Sequence, residues 1–201
     1  MNVEDLNPYA DDSRAKTEQV RRMFDSIAPA YDRMNSAMSF GIHRRWLRRA
    51  VRYVSSTRPH SILDVATGTA DVAIALAQAC PEATVTGIDL SEGMLDLGRH
   101  KVNQAGLDSR VSLNQADCLD LPFADDTFDA VTVAYGVRNF ERLADGYRQM
   151  LRVLRPGGTL AVIELSTPTS PIVKPFYNLY ARGVIPLIGR MVSHDRSAYA
   201  Y

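Results

Sequence analysis

The chain has two cysteines in 201 residues, Cys80 and Cys118, far apart and with no partner at metal-ligand spacing. That excludes a disulfide scaffold and a cysteine-held metal centre, and it fits a reducing cytosol. Net charge is absent too: 23 basic residues balance 23 acidic ones, so no global field draws the chain to nucleic acid. Long apolar runs are missing. No uncharged stretch exceeds ten residues (Val72 to Pro81 is one), too short to span a membrane. The N-terminus, MNVEDLNPYADDSR, lacks the basic and apolar character of a secretory signal or a transit peptide. There is no internal repeat and no low-complexity tract. What remains is ordinary: 46% apolar and 23% charged residues at 22.3 kDa, the expectation for one globular domain with a substantial core.

The charge balance is uneven along the chain. Gly41 to Arg58 carries six arginines (Arg44, Arg45, Arg48, Arg49, Arg52 and Arg58) and no acid. Thr169 to His194 carries Lys174, Arg182 and Arg190, again without an acid, whereas Asp117, Asp120, Asp125, Asp126 and Asp129 gather in between.

Hydrophobic spacing predicts a helix from Ser13, with Ser13 as N-cap, Val20, Met23, Phe24 and Ile27 on one face, and Pro29 closing it. A polar linker follows. His43 to Val54 reads as a second helix, with Trp46, Leu47, Ala50, Val51 and Val54 on one face and five arginines on the other. Beyond Pro59 short apolar runs alternate with helical patterns. Strands are expected at Ile62–Ala66, Thr84–Leu90, Val111–Ala116, Phe128–Tyr135 and Thr159–Leu165, and helices at Asp71–Ala79, Glu92–Gln104 (N-cap Ser91) and Glu141–Leu154. Buried strands alternating with amphipathic helices make an α/β, doubly wound parallel sheet, with ligands at the carboxyl ends of the strands. The apolar segment from Pro171 to Val192 is broken by proline and glycine and forms no single straight helix. We divide the chain into an N-terminal tail and helical cap, 1–58, and a ligand-binding domain, 59–201, within one structural unit.

The strand ends carry the chemistry. The first strand runs from Asp64 into Thr67-Gly68-Thr69, where a glycine admits close approach and a helix start offers free N–H groups. Asp89 ends the second strand 21 residues after Gly68, placed to accept hydrogen bonds from ribose hydroxyls. Asp117 ends the third, placed to meet an adenine amine. Each carboxylate alone also suits a cap or a turn, but three in series suit an adenosine. A dinucleotide fingerprint needs further glycines, and Ala70 and Ala73 stand in their places. That counts against a nicotinamide oxidoreductase. A ligand with an amino-acid tail fits better, its ammonium held by Asp64 and Asp71, which points to S-adenosylmethionine.

These motifs resemble a known family. DVATGTAD, GIDLSEGML, ADCLDLPFADDTFDAV and RVLRPGG are similar to class I S-adenosylmethionine-dependent methyltransferases. Tyr31-Asp32-Arg33-Met34-Asn35, then Ser39 to His43 and Trp46, together with Tyr135-Gly136-Val137-Arg138-Asn139-Phe140, resemble the bacterial C-methyltransferases of menaquinone and ubiquinone biosynthesis. The resemblance implies a Rossmann-like sheet under an N-terminal helical cap. It implies cofactor contacts from Thr69 and Asp89, with Asp117 and Cys118 at the adenine, and Asp64, Gly68 and Leu90 at the strand ends complete the candidate set. Ala70 departs from the glycine common there. Members also continue past Tyr201 and close their sheet with an antiparallel hairpin, so the chain is read as C-terminally incomplete.

The implied reaction is methyl transfer to a ring carbon of demethylmenaquinol, or of the equivalent benzoquinol on the ubiquinone route. That carbon becomes nucleophilic when its conjugated hydroxyl loses a proton. Arg138, which stays protonated, is the first candidate to stabilise the phenolate, and Asn139 the second. Tyr31, Asp32 and His43 of the cap follow, His43 having the better intrinsic pKa for a base. Arg138 also has a structural alternative, pairing with Glu141. The expected partners are a polyprenyl quinol, an anionic membrane surface met peripherally at its cytoplasmic face, and a second copy of the chain in a homodimer. No nucleic acid is expected, and no metal. A non-catalytic subunit that binds cofactor or quinol is the competing reading.

Overall fold

The computed structural model describes residues 8–9, 12–38, 41–166, 169–170, 175, 177 and 179. Ser39, Phe40 and most of the Pro171–Val192 segment lie outside them, as does any closing hairpin. Five parallel strands form one sheet: β1 (Ser61–Val65), β2 (Thr84–Asp89), β3 (Val111–Gln115), β4 (Phe128–Ala134) and β5 (Leu154–Ile163). The order β3-β2-β1-β4-β5 puts the first strand in the middle and reverses direction between β1 and β4. A crevice opens at such a reversal.

Successive strand residues face opposite layers. Ile62 of β1 joins Val51, Val54, Leu76 and Val102 on one side, under α3 (His43–Ser56), α4 (Asp71–Ala79) and α5 (Glu92–Gln104). Leu63 and Val65 join Met150, Val153 and Phe128 on the other, under α6 (Leu143–Val153). The α4 and α5 spans agree with the sequence reading. Ser91 caps α5 as expected, its side chain accepting from Met94 N–H at 3.1 Å.

Several expectations are corrected. The first helix, α1, runs Lys16–Ile27 behind Ala15, not Ser13, and no local side chain caps it. Its start is satisfied from afar: Thr17 N–H and Oγ1 donate to Glu141 Oε2 at 3.2 and 2.8 Å. Pro29 does not simply close a helix. It sits within a 3-10 turn, Ala28–Ala30, as its fixed φ and missing N–H allow. The expected polar linker is instead α2 (Tyr31–Met38), anchored by the fully buried Met34. The α3 helix buries Val51 and Val54, but Trp46 is 46% exposed, because it projects on the arginine side. Strand β4 stops at Ala134 because Tyr135 turns to φ +59°, and β5 begins before the paired glycines, at Leu154.

Gly146 of α6 exists for Phe140. An added Cβ would stand 2.7 Å from Phe140 Cε2 and closer still to Cδ2. Gly146→Ala, which elsewhere favours a helix, is expected here to destabilise the fold by about 1–3 kcal/mol. Urea denaturation of the two proteins checks this.

Candidate active site

Two clefts meet above the carboxyl ends of β1 and β4. The first, about 690 Å³, is lined by Asp89, Leu90, Asp117 and Cys118 from the strand ends and by Thr17, Val20 and Phe24 of the cap. The second, about 840 Å³, is lined by Asp64, Thr69, Asp71 and Lys101, with Asp32 and His43 from α2 and α3. Tyr31, Ala66, Gly68, Ala134 and Tyr135 belong to both.

The turn between β1 and α4 is tightly wound. Ala66, Gly68 and Ala70 have φ of +53°, +55° and +66°. Gly68 adopts this freely, whereas the two alanines hold a conformation that costs roughly 1–2 kcal/mol each. Asp89 secures the turn: Oδ2 accepts from Gly68 N–H at 2.8 Å and Oδ1 from Ser91 N–H at 2.9 Å. Burial raises the Asp89 pKa, against the lowering by these backbone donors. Each oxygen keeps acceptor capacity for a ligand hydroxyl. Asp117 accepts from Leu119 N–H at 2.8 Å, which fixes its carboxyl at the end of the first cleft. Cys118 is buried, and burial pushes its thiol well above the usual range, so it stays a neutral wall.

Asp64 occupies an otherwise apolar layer of β1 and is 1% exposed. Thr67 Oγ1 donates to its Oδ2 at 2.7 Å and Thr132 Oγ1 to its Oδ1 at 2.6 Å. Desolvation nevertheless dominates and raises its pKa to about 6. Asp71 does not stand with it as a free carboxylate, since it pairs with Lys101. Lys101 Nζ also donates to Asp32 Oδ2 at 2.8 Å and to Thr69 Oγ1 at 3.0 Å, while Thr69 Oγ1 donates to Asp32 Oδ1 at 2.7 Å. This knot ties α2 to the turn. Lys101 is a residue the sequence reading missed: a lone lysine at a helix end gives no local signal, and only the fold brings it back over Thr69.

The other candidates divide. Tyr31 meets Phe24 edge-to-face, with ring centroids 6.0 Å apart, and burial raises its pKa. His43 lines the second cleft, its pKa lowered by burial and then by the Arg44 charge, which keeps it neutral. Asn139 lines the first cleft. Arg138 is exposed, and Nη1 donates to Glu164 Oε1 at 3.1 Å. The alternative pairing with Glu141 does not form, because Glu141 serves α1. Tyr135, unremarked as a site residue in the sequence, stands between the clefts.

The donor set fits an adenosine with a cationic amino-acid tail. Acceptors line both clefts, and in the turn no lysine or arginine faces a pyrophosphate except Lys101, already held by two carboxylates. Fold and site together define a class I methyltransferase. The family model described as "ubiE/COQ5 methyltransferase family" matches residues 12–201, and the chain belongs to that family. It is 46% identical over 198 residues to the demethylmenaquinone methyltransferase of Bacteroides fragilis, covering 98% of this chain and 80% of the relative. It is 48% identical over 202 residues to the enzyme of the same name from Porphyromonas gingivalis, covering 100% and 82%. A Bacillus halodurans protein assigned as a methyltransferase superposes with a TM-score of 0.57 at 31% identity, over 68% of this chain and 57% of the other. The cyclase SpnF superposes at 0.64 with 23% identity, over 77% and 62%, which shows the shared fold alone.

The Asp64 carboxyl binds its proton more tightly folded, at about 6, than at its ordinary 3.8. The stability this contributes is fully present below pH 3.8 and is lost as pH rises through about 6. Asp64→Asn, uncharged throughout, is expected to gain on the wild type across that window by at most about 3 kcal/mol. Thermal denaturation at stepped pH measures the difference.

Proposed function

We propose that this chain transfers a methyl group from S-adenosylmethionine to a ring carbon of demethylmenaquinol, a 2-polyprenyl-1,4-naphthoquinol. The observation that carries the reading is the convergence of Gly68, Asp89 and Asp117, from three consecutive strand ends, on one cleft roofed by the cap. Relatives with the matching name, alike over nearly the whole chain, support the substrate. A relative from Geobacter sulfurreducens, 46% identical over 187 residues, is named for ubiquinone and menaquinone together, so benzoquinol methylation is the second reading.

S-adenosylmethionine, when bound, supplies an electrophilic methyl group. The chain's own part is to hold, align and exclude water. Asp89 would accept from the ribose hydroxyls, with Leu90, Asp117 and Cys118 around the adenine and Gly68 leaving room for close approach. Asp64 and Thr69 would meet the amino-acid tail. Asn139, which lines the first cleft, would donate a hydrogen bond to a quinol oxygen that loses its proton, and Arg138, paired with Glu164 and lining neither cleft, would act on it only through its charge. His43 is the neutral base beside the second cleft, and Tyr31 walls the junction. Asp32, its oxygens committed to Lys101 and Thr69, braces α2 rather than taking a proton. The test is calorimetric: wild type binds S-adenosylmethionine and methylates a short-chain naphthoquinol, while Asp89→Ala binds at least about tenfold more weakly. A folded wild type that binds no S-adenosylmethionine overturns the reading.

A polyprenyl substrate resides in a bilayer, and α3 suits that surface. Ile42, Trp46 and Tyr53 are 47%, 46% and 62% exposed on the side that carries Arg45, Arg49 and Arg52. Among the described residues no acid pairs with these arginines, and no helix is long and apolar enough to cross a membrane. Aromatic rings beside unpaired arginines match an anionic lipid interface. The opposite edge of α3 gives His43, Arg44 and Leu47 to the second cleft, which sets its mouth beside that interface. A second copy of the chain in a homodimer is the remaining expected partner, and sedimentation reads this directly. Trp46 is the chain's one tryptophan. Its fluorescence is expected to shift blue with phosphatidylglycerol vesicles, to stay unchanged with phosphatidylcholine alone, and to lose the response when Arg45, Arg49 and Arg52 become Gln.

A further inference from the structure

Tyr135 combines two features that cost stability. It holds φ +59°, a left-handed conformation unfavourable for a bulky side chain, at the end of a strand whose ladder it still joins through its N–H to Ile163 C=O, at 2.7 Å. Its hydroxyl is buried and has no hydrogen-bond partner, the one such side-chain atom among the described residues. The corner cannot relax easily. A Cβ on the neighbouring Gly136 would stand 2.6 Å from the Ala66 Cβ, so the ends of β4 and β1 are locked together. Strain and an orphaned polar atom at one residue, at the boundary of two clefts, point to a use.

Packing alone does not explain it. A phenylalanine would fill the same space without burying an unpaired hydroxyl. Burial, then the charge of Glu164, raises the Tyr135 pKa, so the group is a neutral O–H able to donate. Tyr31 and Arg138 also face it closely enough to influence it. On the proposed reaction, the substrate brings two ring oxygens to the place where the clefts join. We infer that the Tyr135 hydroxyl donates a hydrogen bond to a ring oxygen of the quinol, fixing which ring carbon is presented for methylation. The inference rests on the quinol reading above and adds a substrate contact to it. The free protein holds the donor unpaired, so that its partner is gained only on substrate binding.

Tyr135→Phe removes one oxygen and keeps the ring and its φ. Without ligand, the variant is expected to melt at or above the wild-type temperature, because a buried unpaired hydroxyl is lost. Calorimetry with anaerobic, reduced 2-prenyl-1,4-naphthoquinol is expected to show about tenfold weaker binding, with affinity for S-adenosylmethionine unchanged. A merely structural tyrosine would give the reverse: a lower melting temperature, or equal loss of both ligands. If wild type and Tyr135→Phe bind the naphthoquinol equally well, the contact is overturned while the substrate reading stands. A wild type that binds S-adenosylmethionine but no naphthoquinol overturns both.

Discussion

Everything at the site depends on one carboxylate receiving two backbone donors. Asp89 closes β2 and takes the N–H of Gly68 from one loop and that of Ser91 from another. Without it, the turn after β1 would lose the clamp that opposes its positive-φ strain, and α5 would lose the orientation of its first turn. The same carboxyl faces the first cleft. A structural bond and a binding surface are thereby fused in one side chain, and a ligand hydroxyl completes a coordination that the fold has already begun.

The cap is held by the same chemistry. Asp25 of α1 accepts from Ser91 Oγ at 2.6 Å and Gly93 N–H at 3.2 Å, at the positive end of the α5 dipole. Asp32 of α2 engages Lys101 and Thr69 at the other cleft. Two carboxylates, seven residues apart in sequence, thus pin one roof over two clefts, with Tyr31 fixed near their junction. These charge-assisted contacts fix the roof's position more specifically than an apolar seam would.

Much of the fold was legible because periodicity and local turn chemistry agree there. The runs around Leu63, Ile88 and Val131 are too apolar for anything but a covered sheet, and Ser91 announces its helix by the ordinary capping rule. The carboxylates Asp64, Asp89 and Asp117 that line the clefts were legible for the same reason, since each sits at or just beyond the end of a strand. Tertiary context hid the rest. Residues 31–38 carry a polar pattern that reads as a linker, and become a helix only because Met34 finds a buried slot. Lys101 and Tyr135 acquire meaning only in the fold, Lys101 from Asp32 opposite it and Tyr135 from a hydroxyl that has no hydrogen-bond partner among the described residues. Trp46 misled because helical spacing alone does not separate a buried stripe from an apolar strip set among arginines.

The start of α1 has a consequence for the order of assembly. Its first turn has no cap of its own and takes Glu141, 124 residues away, in place of one. Loop closure of that span is entropically costly, and the bond exists only after β4 has paired and delivered the segment that follows it. The first turn of α1 therefore gains this partner late. Changes at this contact should then register in the unfolding rate more than in the folding rate.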